Sequence, residues 1–227
     1  MMKEVNLLSR FPKSRRDVRA RLAHKSENRE IALRFGMEYF DGPREQGYGG
    51  YRYDGRWIPI AEDIVRHFDL KAGDRVLDVG CAKGFLVKDL MKVCPGLEAY
   101  GLDLSEYAVM HCERDVVGRI HLGNALRLPF PDGSFQAVIS INTIHNLDRS
   151  DCVRALSEIE RLAPGQGYVQ VDAYRNDAER KVFEDWMLTA RTYGKSEDWM
   201  QILVEAGYTG DYYWTILEID PEWTITD

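Results

Sequence analysis

Long apolar runs are missing from this 227-residue chain, and so are paired cysteines and an excess of basic charge. With no run of about 18 apolar residues, a membrane-spanning helix is excluded on length. The N-terminus sets Arg10, Lys13, Arg15 and Arg16 around Phe11-Pro12 and lacks the apolar stretch of a secretion signal, so a cytoplasmic location is expected. The four cysteines, Cys81, Cys94, Cys112 and Cys152, form no CxxC pair. That argues against a disulfide framework or a zinc site and for a reducing compartment, the cysteines packing as small buried residues. The net charge of −7 argues against nucleic acid as a partner, since such partners are held by a strongly basic face. No HxxxH pair or acidic cluster at ligand spacing is present, so no metal is expected.

What is present is unevenly distributed. Residues 1–30 hold nine Lys or Arg against four acidic residues, which leaves −12 on the remainder of a chain with net charge −7. A basic arm on an acidic body follows. It is read as a solvated amphipathic helix over about 15–29, with a second role in view: folding over a site and contacting an anionic group of a substrate. A helix over 27–40 comes next, stopped by Asp41-Gly42-Pro43. The run from Gly47 to Trp57 is too aromatic for a passive linker and too rich in glycine for a regular strand. The expected organisation is an N-terminal basic arm and cap over 1–58 and one domain over 59–227.

From residue 75 short apolar β-type runs alternate with helical stretches. Strands fit 75–79, 97–103, 119–122, 136–142, 167–172 and 212–219, and helices fit 59–68, 150–162, 177–191 and 196–206. In the helix after the first strand, Leu86, Leu90 and Val93 recur at the spacing of a buried face, which turns Lys88, Asp89 and Lys92 toward water. The alternation predicts an α/β fold, a mostly parallel sheet with helices on both faces.

In such a sheet, ligands bind beyond the carboxyl ends of the strands. There the first strand ends in Asp78-Val79, and Gly80-Cys81-Ala82-Lys83-Gly84 opens a helix, with small residues that let a ligand approach the backbone N–H groups. A dinucleotide fingerprint would place glycine at 80, 82 and 85, whereas this chain has Ala82 and Phe85, which disfavours a nicotinamide oxidoreductase. Asp78 would repel a phosphate but suits a ligand with an ammonium group. Asp103, ending the second strand, is placed to hold a ribose through its hydroxyls.

These segments, with Gly123 to Phe130 and Asp132-Gly133-Ser134-Phe135, resemble the class I S-adenosylmethionine-dependent methyltransferases over about residues 70–172. The resemblance implies a Rossmann-like sheet of seven strands in the order 3-2-1-4-5-7-6, of which six are legible and the last is sought near Trp223. It implies S-adenosylmethionine as cofactor and S-adenosylhomocysteine as its product. Gly80, Cys81 and Gly84 would line the methionine portion, Asp103 the ribose, and Asn124 with Ala125 the adenine edge, with Asp78, Leu104 and Asn142 as further cofactor-binding candidates. Ala82, Lys83 and Asn124 depart from the common pattern of glycine, a small or hydroxyl residue, and aspartate.

In that family the loop after strand four lies beside the reactive methyl, which brings in Asn142, His145 and Asn146. His145 is the candidate base, its ordinary pKa of about 6.5 lying near neutrality. Tyr48 is a second catalytic candidate and Tyr51 a pocket wall, both suited to cation–π contact with a sulfonium, while Arg52 and Tyr174 are further substrate-binding candidates. Trp186 and Trp199 are expected to pack the later helices on the core. The expected activity is methyl transfer to an oxygen or nitrogen of a small polar metabolite, sugar-like, phosphorylated or amine, by a monomer or homodimer. The competing readings are a macromolecular methyltransferase and a non-catalytic S-adenosylmethionine-binding partner.

Overall fold

The computed structural model describes residues 2–217, 219 and 224–225. In chain order they form β1 (Arg16–Asp17), α1 (Val18–Leu22), α2 (Lys25–Ala32), α3 (Met37–Asp41), α4 (Ile58–His67), β2 (Arg75–Val79), α5 (Phe85–Val93), β3 (Glu98–Asp103), α6 (Glu106–Met110), β4 (Ile120–Leu122), β5 (Ala137–Ile141), α7 (Arg149–Leu162), β6 (Gly167–Ala173), α8 (Asp177–Trp186), α9 (Ser196–Glu205), β7 (Asp211–Ile216) and β8 (Thr224–Ile225). The main sheet has six parallel strands in the order β4-β3-β2-β5-β6-β7.

The first five positions of that order reproduce the expected 3-2-1-4-5. The seven-stranded arrangement is not reproduced: β7 returns from α9 by a short connection and pairs parallel with β6, as a βαβ crossover does, and no strand is inserted between them. The outer edge of β7 is met by the N-terminus, through a parallel bridge from Glu4 to Tyr212. Thr224 and Ile225 pair instead with Arg16 and Asp17 in a separate two-stranded sheet. Trp223 lies outside the described residues.

Strand alternation explains the core. Leu77 and Val79 join Val138, Val169 and the α7 and α9 side chains Leu156, Ile159, Trp199 and Ile202 on one face. Val76, Ala99 and Ile139 meet Ile60, Ile64, Leu86 and Leu90 of α4 and α5 on the other. Each fully buried aliphatic side chain of this kind contributes about 1.5–3 kcal/mol. Among the described residues no helix is long and apolar enough to cross a membrane.

Five local expectations are corrected. The helix over 27–40 breaks between α2 and α3, where Phe35 takes φ +48° and its carbonyl accepts from Ser105 Oγ at 2.6 Å. The helix over 177–191 stops at Trp186, because Lys25 Nζ takes the carbonyls of Glu184, Asp185 and Met187 at 2.6, 2.7 and 2.5 Å. The arm is therefore no solvated helix: α1 and α2 are separate, and Lys25 sits at the negative end of the α8 dipole. Asp89 does not face water but is 0% exposed, accepting the Tyr53 hydroxyl at 2.6 Å. Trp199 packs on the core as expected, whereas Trp186 packs against Val18 of the arm.

Candidate active site

β2, β3 and β5 end side by side, and the turn after β2 is shaped by what stands next to it. Gly80 has φ +82°, and a Cβ there would run into the Thr143 side chain that follows β5. A Cβ on Gly101 would lie 2.5 Å from Cys81 Sγ. Both glycines are thus dictated by side chains, Thr143 and Cys81, that lie against their backbone. Ala82 occupies the left-handed region at φ +50°, held there by its N–H, which donates to Asp103 Oδ2 at 2.7 Å. Gly84, at φ +77°, opens α5.

Asp78 is 5% exposed at the end of β2, one strand from Asp103. Burial, with Asp103 adding like charge, pushes its pKa up to about 8. A buried carboxyl beside a glycine cradle suits the cationic group of a ligand. Burial also raises Asp103, against the backbone N–H groups of Ser105 and Ala82 that stabilise its charged form. The methionine ammonium and ribose hydroxyls of S-adenosylmethionine fit this pair of carboxylates. Leu104 beside Asp103 is exposed, as is Asn124 past the end of β4, whose Oδ1 accepts from Leu126 N–H at 3.0 Å. Ala125 is half-buried against the core. Asn142 takes φ +52° at the end of β5, with its Oδ1 accepting from the Thr215 hydroxyl at 3.1 Å.

An aromatic lid lies over this end of the sheet. Tyr51 stacks on Phe85 with centroids 4.5 Å apart and planes inclined 14°, and Phe40 packs against Tyr48, Tyr51 and Tyr107. Burial, then the nearby Asp78, Cys81 and Asp103, pushes the Tyr51 phenol up, which sets that ring beside the glycine loop and both carboxylates. The neighbouring Tyr39 phenol and then burial hold the Tyr48 phenol well above its ordinary range. Tyr48 keeps 42% of its surface accessible. The lid is latched by Lys83, whose Nζ donates to Asp41 at 2.6 and 2.8 Å and to the Tyr51 carbonyl at 3.1 Å, while Tyr107 donates to Asp41 at 2.7 Å. Sequence reasoning noted Lys83 only as a departure from pattern, and missed Asp41 and Tyr107. The signal was there in a cation where a small or hydroxyl residue is usual.

His145 lies in a short 3-10 turn after β5, Ile144–Asn146, buried, with its carbonyl accepting from Arg191 and Thr192 N–H at 2.9 and 3.0 Å. Its Nδ1 accepts from Asp172 N–H at 3.2 Å and stands 3.5 Å from Asp172 Oδ2. Burial lowers the His145 pKa and raises that of Asp172, so the neutral imidazole, with its proton on Nε2, is favoured. Arg16 of β1 is within electrostatic reach of Asp172, a neighbour that sequence reasoning did not find. Asn146 sits beside His145 with its Oδ1 buried and unpartnered. Arg52 is exposed, and Tyr174 lines a separate groove of about 650 Å³ with Gln170, Met200 and Trp214. Among the described residues no cluster of three or more His, Cys, Asp or Glu is placed to hold a metal.

Residues 77–171 match the family described as a methyltransferase domain. The chain is 33% identical over 128 residues to a demethylmenaquinone methyltransferase of Symbiobacterium thermophilum, covering 52% of this chain and 50% of that one. It is 35% identical over 105 residues to a fatty-acid O-methyltransferase of Mycolicibacterium smegmatis, covering 44% and 38%. The chain thus spans about half the length or less of these curated relatives. A solved methyltransferase bound to the Haloferax volcanii Trm112 activator superposes with a TM-score of 0.52 at 23% identity, over 65% of this chain and 66% of that one, a likeness of fold. The segment that matches, 77–171, runs from inside β2 to inside β6 and so carries the glycine loop, Asp103 and His145; over that segment the chain is similar to a methyltransferase domain.

Proposed function

We propose that the chain transfers a methyl group from S-adenosylmethionine to an oxygen or nitrogen of a small polar metabolite. The observation that carries this is Asp78, a buried carboxyl next to the Gly80 cradle and one strand from Asp103. Bound S-adenosylmethionine supplies an activated methyl on its sulfonium. Asp78 receives the ammonium, Asp103 the ribose, and Gly80, Cys81 and Gly84 leave room for the methionine chain. Leu104, Asn124 and Ala125 border the adenine, and Asn142 stands at the strand end next to the transferred group.

In-line displacement then needs alignment and a destination for the acceptor's proton. The His145–Asp172 pair provides that destination. Asp172, whose carboxylate keeps part of its surface accessible and whose pKa is raised by burial, takes the proton, and His145 positions it. Tyr48 and Tyr51 wall the site and exclude water. The segment held over the strand ends by Lys83, Asp41 and Tyr107 supports a small acceptor over a macromolecular one. In this reading residues 1–58 are arm and lid, and 59–227 carry the transferase fold.

Mass-spectrometric detection of a product 14 Da heavier across sugar, amine, carboxylate and phosphate acceptors, a shift fixed by the added methylene, tests the reading. Product with small acceptors supports it. Product only with RNA or protein, or tight cofactor binding with no transfer to any acceptor, overturns it.

A further inference from the structure

A row of polar side chains crosses the sheet on a face that is otherwise apolar. Tyr168 and Gln170, two residues apart on β6 and both buried, point to the side where Val76, Ala99 and Ile139 meet α4 and α5. Tyr213 of β7 packs on the same side, and strand alternation brings Thr215 there with it. The Tyr168 hydroxyl accepts from Leu7 N–H at 3.4 Å and has one proton for two acceptors, Gln170 Oε1 at 2.9 Å and the Val5 carbonyl at 3.1 Å, of which the amide is the nearer. Gln170 Nε2 donates to Thr215 Oγ1 at 2.8 Å, and the Thr215 hydroxyl donates to Asn142 Oδ1 at 3.1 Å. Each bond fixes the sense of the next: with Gln170 donating into its oxygen, the single proton of Thr215 goes to Asn142.

The row therefore runs from the N-terminal segment, clipped to the edge of β7 by hydrogen bonds of Lys3 and Val5 with Tyr212, to the residue that follows β5. Asn142 is its exposed end. The Asn142 backbone is left-handed at φ +52°, a conformation asparagine tolerates better than most residues, and its N–H donates to the Gln170 carbonyl at 2.8 Å. The next residue, Thr143, lies against Gly80. Burying a glutamine and a tyrosine hydroxyl on an apolar face is costly unless they are paired, and the row pairs them in a line that ends beside the glycine cradle. With Oδ1 committed to Thr215, what Asn142 offers a ligand is the pair of N–H donors on Nδ2.

We propose that Gln170 and Thr215 are positioning residues that hold the Asn142 amide with Oδ1 turned to β7 and with its Nδ2 donors presented to an oxygen of the methyl acceptor. This rests on the proposed function, and it narrows the acceptor to one carrying a hydroxyl, carbonyl or carboxylate oxygen that these donors can hold. Gln170 and Thr215 act through Asn142, and Tyr168 ties the row to the N-terminal segment.

The relay is tested in the full-length protein labelled with heavy nitrogen, alone and saturated with S-adenosylhomocysteine. The side-chain amide signal of Asn142 is identified by its loss in Asn142→Asp, and its heteronuclear NOE reports how rigidly the amide is held. It should be as rigid as the sheet backbone in the wild type and in Thr215→Ser, and mobile in Thr215→Val and Gln170→Leu. Valine has the shape of threonine without the hydroxyl, so Thr215→Val keeps the fold, which its melting curve checks. In turnover with S-adenosylmethionine and the small acceptors that the mass-spectrometric screen finds, Thr215→Val should raise the acceptor KM about tenfold and leave the KM for S-adenosylmethionine as it was. Thr215→Ser should restore the acceptor KM. A mobile amide in the wild type, an equally rigid amide in Thr215→Val, or an unchanged acceptor KM in that variant overturns the proposal. Absence of product with every acceptor overturns the proposed function instead, and the relay is then decided by the NOE alone.

Discussion

The Lys83 latch offers the most direct handle on the lid. Lys83→Met removes an ammonium whose side chain is 9% exposed and which makes three hydrogen bonds, two to Asp41 and one to the Tyr51 carbonyl. Asp41 is 29% exposed, so part of its charge stays solvated and the upper range for buried charged hydrogen bonds does not apply. A loss of about 2 kcal/mol in lid closure is expected, which raises the open population about thirtyfold. The aromatic contacts of Phe40, Tyr48 and Tyr51 remain, so the lid loosens without unfolding the sheet. Hydrogen exchange read by mass spectrometry should show faster exchange over 35–57, the backbone N–H groups of Tyr48 and Tyr51 included, with 75–79 and 137–141 unchanged. S-adenosylhomocysteine should also dissociate faster. Asp41→Asn should have the same sign, and the double variant should lose less than the two singles added together. Unchanged exchange over 35–57 would refute the latch, and uniformly faster exchange would show that Lys83 supports the whole fold.

Asp78 gives a pH prediction. Its folded pKa, about 8, is above the ordinary value of 3.8, so the stability it contributes is present in acid and lost as pH rises through 8. Asp78→Asn should therefore raise the melting temperature of the free protein at alkaline pH while weakening cofactor binding, and wild-type binding near pH 7 should release a proton, seen as buffer-dependent calorimetric heat. Asp172→Asn should lower kcat by about a hundredfold or more with little effect on cofactor affinity, and His145→Asn should shift the pH profile of kcat; an unchanged rate in both would mean that alignment alone suffices. Gly80→Ala should cost about 1–3 kcal/mol through the positive φ and the Thr143 collision, read as a lower denaturation midpoint, and wild-type stability in that variant would contradict the close approach.

The sheet was legible because its strands are short apolar runs bounded by turn residues: the strand from Arg75 to Val79 was read to the residue, and the other five main-sheet strands to within about three residues at each end. Asp78 and Asp103 were legible because a carboxylate at a strand end is chemically unusual. What failed was set by distant parts of the chain. Asp89 lies on a helix face that reads as solvated until Tyr53 is brought onto it. The break at Phe35 depends on Ser105, and the end of α8 on Lys25, 159 residues before Glu184. The position of β7 follows from the α9 crossover and not from its own residues. Arg16 reads as one more base of a charged arm until the fold sets it against Asp172.

The central claim is that the strand-end carboxylates and glycine loop hold S-adenosylmethionine. Calorimetric titration with S-adenosylhomocysteine tests it on the wild type and on Asp103→Ala, which removes an acceptor fixed by two backbone N–H groups at 2.7 and 2.8 Å. One molecule should bind per chain, and the variant should bind at least about tenfold more weakly. No binding to the wild type, or equal binding to both, would contradict the account.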